Sequence, residues 1–137
     1  MKYLSEIMEK RQSELFRKYK VFFAFSNEQF KEGMKKNKIP KETKVVKMGQ
    51  GMFCPSKNIK EVIKEMDLIY KDSIEKDLLQ GKEKIILREL INHECFYTGD
   101  PTDCIETLKE YPITEEEICD IYRKNYSKYA DGFAVNI

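Results

Sequence analysis

The chain has 137 residues, a length that suits one domain, and no apolar run in it approaches the ~20 residues that a membrane-spanning helix needs. The first residues lack the apolar core of a signal peptide, which favours a soluble, cytoplasmic protein. Hydrophobic residues (41%) suffice for a core, and charged residues (36%) indicate a strongly solvated surface. We therefore predict a single domain over residues 1–137.

The net charge of +1 conceals a division of charge along the sequence. Residues 1–60 contain 15 Lys or Arg and 6 Asp or Glu, a net charge of +9, whereas residues 61–137 contain 10 and 18, a net charge of −8. Such a chain can fold its halves together, or present a basic and an acidic face that steers a charged partner or a second copy of the chain. Solvated faces without a partner explain the division equally well.

The N-terminal third of the sequence predicts a helix, a strand and a second helix. An interrupted apolar stripe indicates a helix over residues 3–18, and the β-branched and aromatic run after it indicates a buried strand over residues 21–25. Ser26 is a good helix N-cap and Gln29 completes a capping box, so the second helix is expected over about residues 27–37.

Glycines affect two predicted elements in the next part of the chain, a helix and a hairpin. Gly33 lies inside the second predicted helix and should weaken it. Gly49 and Gly51 separate two short apolar runs and can adopt positive φ, which predicts a β-hairpin over about residues 44–54. This Gly-x-Gly lacks the further residues of a phosphate-binding loop.

Helical periodicity dominates the rest of the chain. It predicts a helix that Ser56 caps and that runs to about residue 77, a helix over 82–95, and a short helix that Pro101 starts. A second capping box, Thr114 with Glu117, predicts a last helix to about residue 129, which Gly132 ends before an apolar tail over 133–137. The sum is an α+β fold: a small antiparallel three-stranded sheet, made of a strand at about 21–25 and a hairpin at about 44–54, packed against about six helices.

The segment Asn92–Asp100 carries the densest functional chemistry in the sequence. His93 could act as a general base that Glu94 or Asp100 orients, and Cys95 could act as a nucleophile. The plainer interpretation is a helix C-cap followed by a turn, and we favour it because the catalytic set is incomplete. We therefore predict no catalytic residue and favour a binding protein over an enzyme. The segment stays a candidate ligand or partner site through Asn92, His93, Glu94, Tyr97 and Asp100.

Cysteine spacing argues for structural thiols. No Cys-x-x-Cys pair is present in the sequence. A metal site of His93, Cys95 and Cys104 is an alternative, although their spacing matches no standard zinc knuckle. We predict neither a bound metal nor a cofactor.

Basic residues and tyrosines suggest binding surfaces. Lys35, Lys36 and Lys38 form a dense basic stretch, and tyrosine, a common interface anchor, is frequent in the C-terminal half. The basic N-terminal half could also bind nucleic acid, although its run of phenylalanines is too apolar for a stacking platform.

Three blocks of the sequence resemble a family of small, uncharacterised phage, prophage and other mobile-element proteins. The blocks are Phe23–Gly33, the Gly-x-Gly-x-Phe hairpin and Asn92–Asp100, and the resemblance covers roughly residues 21–103. That family has no settled activity, so it assigns no functional residues. The resemblance implies a genomic context in which small proteins often bind and inhibit host machinery, including restriction and CRISPR defence.

Taken together, these features predict a non-enzymatic protein that acts in the host bacterial cytoplasm. It would bind and inhibit a host protein, such as a nucleic-acid-handling defence complex, as an anti-CRISPR or anti-restriction inhibitor does, and it could form a homo-oligomer. One alternative is a small-ligand or nucleotide-binding protein, or a nucleotide sponge, that uses the His93–Asp100 segment. A further alternative is a nucleic-acid-binding module that uses the basic N-terminal half.

Overall fold

A computed structural model describes the backbone of residues 1–135 and the side chains of residues 1–130. Within that range the chain has seven α-helices and one three-stranded antiparallel sheet, so the predicted α+β class is confirmed. None of the described helices is long and apolar enough to cross a membrane. The helices are α1 (Leu4–Tyr19), α2 (Asn27–Lys36), α3 (Ile59–Leu78), α4 (Lys82–Asn92), α5 (Cys95–Thr98), α6 (Thr102–Thr107) and α7 (Glu115–Val135). The strands are β1 (Phe22–Phe23), β2 (Val45–Gly49) and β3 (Met52–Pro55), and a 3₁₀ turn, Ser56–Asn58, precedes α3.

The chain divides into two compact units, and the boundary falls inside α3. The first unit is residues 2–73, which carry 17 Lys or Arg and 10 Asp or Glu. The second unit is Met1 with residues 74–137, which carry 8 and 14. The charge division in the sequence therefore follows the two units, with net charges of +7 and −6. One domain over residues 1–137 stays a prediction.

Helices cover both faces of the sheet in the first unit, and the strand order is β1-β3-β2. Side chains alternate between the faces of a strand, so β2 and β3 each contribute to two cores. The core on the α2 side contains Phe22, Ala24, Phe30, Met34, Ile39, Val45 and Phe53. The core on the side of α1 and α3 contains Phe16, Tyr19, Val21, Met48, Met52, Cys54, Ile59, Val62 and Met66.

The first strand is shorter than the predicted 21–25 because neighbouring helices use its flanking backbone. The N–H of Val21 donates to a carbonyl in the last turn of α1 at 2.9 Å. At the other end Ser26 caps α2 as predicted, since its hydroxyl accepts from the N–H of Gln29 at 3.2 Å. The Gln29 side chain accepts from the N–H of Phe25, at 2.7 Å, and not from that of the cap residue.

The predicted hairpin is present, but the start of the next helix was misplaced. Gly49, Gln50 and Gly51 all adopt positive φ (101°, 48° and 77°) in the turn between β2 and β3. Ser56 does not cap α3: it begins the 3₁₀ turn, whose N-cap position is taken by Pro55 without a side-chain hydrogen bond. The α-helix itself begins only at residue 59.

Two helix ends in the second unit also differ from prediction. The helix expected over 82–95 ends at Asn92, because Glu94 adopts a left-handed conformation (φ 54°) that an α-helix cannot continue through.

At the start of α7, Thr114 and Glu117 form the predicted capping box, with N–H to side-chain oxygen distances of 2.9 and 3.1 Å. The last helix runs through Gly132 to residue 135, since one glycine costs only about 1 kcal/mol inside a helix. Residues 136 and 137 of the predicted tail lie outside the described residues.

Candidate functional site

His93 lies where α4 ends, and its side chain turns towards the helices and not into an open site. Its Nε2 atom lies 3.0 Å from Oγ1 of Thr107 and 3.4 Å from Oε2 of Glu89. The Glu89 carboxylate is itself buried, with 7% of the side chain exposed. These contacts hold the imidazole in place through α4 and α6. His93 takes the C-cap position of α4, and its ring contacts the side chains of Glu89 and Thr107.

The carboxylate of Asp100 accepts hydrogen bonds from the neighbouring helix, α6. Oδ1 of Asp100 accepts from the N–H of Thr102 at 2.9 Å and from its hydroxyl at 2.5 Å, at the start of α6. The side-chain hydrogen bond and then the backbone one hold the pKa of Asp100 below its ordinary value. Asp100 therefore binds the first residue of α6 from just before Pro101, the N-cap of that helix, and it shares no hydrogen-bond partner with His93.

The remaining members of the predicted segment are exposed around this turn. Asn92, Glu94 and Tyr97 all face solvent, and Tyr97 is 66% exposed. Next to them, Phe96 is buried and stacks on Tyr122 and Tyr129 of α7. The segment thus combines a packed aromatic anchor with an exposed rim.

A buried ionic network lies in the same unit, and the sequence did not reveal it. Arg88 donates to both carboxylate oxygens of Asp77, at 2.8 and 2.9 Å, and its Nε donates to Glu89 at 2.8 Å. Tyr111 and Gln80 donate to Asp77 as well, at 2.5 and 2.6 Å. Only an arginine inside the apolar stripe of α4 could have signalled the network, because Asp77 lies 11 positions from Arg88 and 34 positions from Tyr111 in the sequence.

The buried polar groups of this network all have hydrogen-bond partners, and Asp77 is held in its charged form. Burial alone would raise the pKa of Asp77, but the hydrogen bonds from Arg88, Tyr111 and Gln80 outweigh it and hold that pKa below its ordinary value. The pKa of Tyr111 is raised, mainly by burial and to a smaller extent by its hydrogen bond to Asp77. Among the described residues no buried side-chain nitrogen or oxygen lacks a hydrogen-bond partner. The network therefore stabilises the unit and leaves no polar group directed at a ligand.

The buried thiols are poorly placed for nucleophilic chemistry. Cys54, Cys95 and Cys104 are fully buried. Burial raises the pKa of the Cys104 thiol to about 12, and it also raises the pKa of the Cys95 thiol. Because the thiolate is the reactive form, such thiols are inert at neutral pH. Within the described part of the chain, no three His, Cys, Asp or Glu side chains are grouped so as to hold a metal ion.

A groove beside α2 in the first unit has an apolar lining with a basic rim. It has a volume of about 410 Å³, and we call it the α2 groove. Its lining consists of three apolar side chains and three lysines, and no carboxylate is among them: Phe30, Lys31, Met34, Lys35, Ile39 and Lys41. The predicted residue Lys35 thus belongs to a groove, which the sequence alone did not indicate.

Helix geometry and one turn build the α2 groove. Phe30 and Met34 lie four residues apart, on one side of α2. Lys38 adopts a left-handed conformation (φ 54°) directly after the helix, and this turn lets the N–H of Ile39 donate to the carbonyl of Met34 at 2.9 Å. Lys38 therefore shapes the groove through its backbone. Lys36, the third lysine of the predicted stretch, lines a separate depression beside β1.

Comparison with known proteins identifies a family. The chain matches the model of a family of unknown function (DUF7659) over residues 4–130. No curated protein matches the chain. No solved structure matches it either.

Proposed function

Since the chain belongs to the family of unknown function DUF7659, we propose its function from its own surface: it is a binding protein whose α2 groove takes an acidic segment of a partner protein. The segment inserts a large apolar side chain between Phe30 and Ile39, and carboxylates beside that anchor meet the lysines of the rim. The composition of the α2 groove carries this proposal.

The apolar part of the groove supports an anchor side chain. Phe30, Met34 and Ile39 form its lining, and methionine adapts its shape to different partners. The stems of Lys31 and Lys35 extend the apolar wall, since lysine packs its methylene groups while the ammonium group stays in water. A volume of about 410 Å³ is large enough for one aromatic or leucine side chain with its neighbours.

The charged part of the groove supports an acidic occupant. Lys31, Lys35 and Lys41 surround the apolar lining, and the unit that contains them has a net charge of +7. Complementary charge steers association and selects against basic partners. A segment with two or three carboxylates around its anchor would therefore bind faster than a neutral one, and its affinity would fall as salt is added.

The resemblance to mobile-element proteins supports a bacterial host protein as the partner. In that setting the chain would inhibit a host defence complex that handles nucleic acid, in the manner of anti-CRISPR or anti-restriction proteins. Many such host surfaces are basic where they hold nucleic acid, so an acidic segment is expected beside that site and not in it. The proposal therefore commits to a protein occupant and treats direct nucleic-acid binding as the competing result.

The alternative site at His93–Asp100 has weaker support as a small-molecule pocket. The side chains of His93 and Asp100 already bind Glu89, Thr107 and Thr102. A ligand there would have to displace those partners, which costs free energy that the α2 groove does not require.

A selection from a randomised peptide library tests the groove while the partner is still unidentified. Peptides of about ten residues are selected on the whole protein and, in parallel, on the Lys35→Glu variant, whose substituted residue is exposed in the groove. The expected result is enrichment, on the wild type alone, of peptides with a large apolar residue flanked by Asp or Glu. Enrichment of basic peptides, or the same peptides on both proteins, would contradict the proposal.

Host inhibition is tested separately in bacteria that carry an active CRISPR or restriction system. Expression of the wild-type chain should raise the plating efficiency of a targeted phage, whereas Lys35→Glu should not. Lys64→Glu serves as the control, because Lys64 is exposed on α3 outside the groove. If the wild type leaves plating unchanged in every system tried, the inhibitor role fails, while the peptide result still stands by itself.

A further inference from the structure

A second depression in the first unit is lined by lysines from two separate elements. Lys18 and Lys20 come from the end of α1, and Lys57 comes from the 3₁₀ turn before α3. The depression has a volume of about 310 Å³, and its other lining residues are uncharged: Tyr19, Ile39, Pro40, Thr43, Pro55 and Asn58. We call it the lysine cleft.

The two elements that carry the lysines are tied together. The side-chain amide of Asn58 donates to the carbonyl of Tyr19 at 2.9 Å, which links the 3₁₀ turn to the end of α1. Tyr19 also packs into the core with Ile59, the first residue of α3. The lysine stems therefore start from fixed backbone, and the spacing of their attachment points does not depend on a mobile loop.

Helix electrostatics explains only part of this arrangement. Lys18 lies in the last turn of α1, where a positive charge is favourable, and its Nζ lies 3.9 Å from Glu65 and 5.1 Å from the ring centre of Tyr19. Lys57, in contrast, lies just before the first residue of α3, at the positive end of a 20-residue helix. A lysine there is unfavourable unless a negative charge accompanies it.

Lys20 departs from local preference as well. It adopts a left-handed conformation (φ 59°) at the C-cap of α1, a position where glycine or asparagine is usual. Any residue without that preference costs roughly 1 kcal/mol there, and the favourable position of a positive charge at the helix C-terminus offsets only part of that cost. Violations of local preference concentrate at functional sites. Two such departures, at Lys20 and Lys57, face the same cleft.

We infer that Lys18, Lys20 and Lys57 bind the phosphoryl groups of a small phosphorylated molecule. The three ammonium groups supply donors for phosphate oxygens, and no carboxylate lines the cleft itself. Glu65, outside the cleft, competes for Lys18 alone, so Lys20 and Lys57 are the main ligands. The volume of about 310 Å³ is near the lower limit for ligand pockets, which limits the occupant to about the size of a mononucleotide. The uncharged wall, with Ile39 and two prolines, suits the organic part of such a molecule.

Titration of the whole protein with pyrophosphate, adenosine diphosphate and a single-stranded oligothymidine tests this inference by amide NMR shifts. The expected result is saturable shifts at residues around the cleft with both small phosphates, at concentrations up to about 10 mM. Lys57→Ala and Lys20→Ala should each raise the dissociation constant by about tenfold, the loss of one charge-assisted hydrogen bond.

Lys60→Ala is the matched control, since Lys60 lies in the first turn of α3, close in sequence to Lys57, but does not line the cleft. Equal weakening by Lys60→Ala and Lys57→Ala would overturn the inference in favour of general charge attraction. Absence of saturable shifts with either small phosphate would also overturn it. Binding of the oligonucleotide alone would assign the cleft to a nucleic-acid backbone instead. Peptide binding in the α2 groove requires none of these lysines, so the two proposals fail independently.

Discussion

The ring of Phe22 lies against Gly33, so closely that a methyl group added to Gly33 would come within 2.3 Å of Cδ2 of Phe22. Phe22 is buried and its ring is held by Phe30 and Phe53, with ring centres at 5.6 and 5.7 Å. The glycine that weakens α2 as a helix is thus the residue that lets α2 approach β1.

Gly33→Ala should therefore destabilise the protein, although alanine is the better helix former. The helical gain is about 1 kcal/mol, and forcing a methyl group into this contact should cost more than that gain, about 1–3 kcal/mol. Urea unfolding measures the net loss, with Glu32→Ala on the same helix as the control, because Glu32 is exposed. A Gly33→Ala protein more stable than the wild type would show that the aromatic contact is loose.

Replacement of Arg88 by methionine should destabilise the second unit strongly. It would leave two buried carboxylates, Asp77 and Glu89, without their cation, and breaking a buried pair in this way costs about 3–5 kcal/mol. Arg123→Met is the matched control, since Arg123 pairs with Asp120 at 2.6 Å on the exposed surface of α7. The control should change the free energy of unfolding by less than about 1 kcal/mol. Equal losses in the two variants would contradict the role given to the buried network.

The same network predicts a loss of stability in acid. The pKa of Asp77 is lower in the folded protein than its ordinary value, so its contribution is complete above the unfolded pKa of about 3.9 and is lost as the pH falls through the folded value. The difference in unfolding free energy between the wild type and Asp77→Asn should therefore be largest near neutral pH and shrink below about pH 4. A difference that stays constant down to the lowest accessible pH would rule out this linkage.

Thiol reactivity should separate one cysteine from the other three. Cys119 is partly exposed, whereas Cys54, Cys95 and Cys104 are buried and burial raises the pKa of each of those three thiols. An aromatic disulfide reagent at about pH 8 should modify one thiol quickly and the others only as the chain unfolds. Cys119→Ser should remove the fast phase. Rapid modification that persists in this variant would mean that a buried thiol is accessible.

Local signals were sufficient for the parts of the fold that depend on neighbours in the sequence. The caps at Ser26 and Thr114 join residues three apart, and the hairpin turn depends on two glycines, so each could be predicted. The end of α4 could not be predicted, because nothing in the sequence indicates that Glu94 adopts a left-handed conformation, as a glycine there would have done.

Contacts between distant residues explain why both candidate binding sites were missed. The lysine cleft joins Lys20 to Lys57, and the α2 groove forms only when the turn at Lys38 brings Ile39 back to Met34. The sequence placed Lys35 in a basic stretch but could not show that apolar side chains lie beside it. The reactive residue types of Asn92–Asp100 are conspicuous in the sequence, but the sequence could not show that His93 binds Thr107 of a different helix.

The affinity of an acidic peptide for charge-reversed variants tests the α2 groove most directly. A labelled peptide from the library selection is titrated with the wild type, with Lys35→Glu in the groove and with Lys64→Glu outside it, and fluorescence anisotropy gives the dissociation constants. Since both variants change the net charge equally, we predict that Lys35→Glu weakens binding by about tenfold or more and that Lys64→Glu changes it by less than about twofold. Equal weakening in the two variants would contradict the account, because the peptide would then be responding to the net charge of the protein and not to the groove.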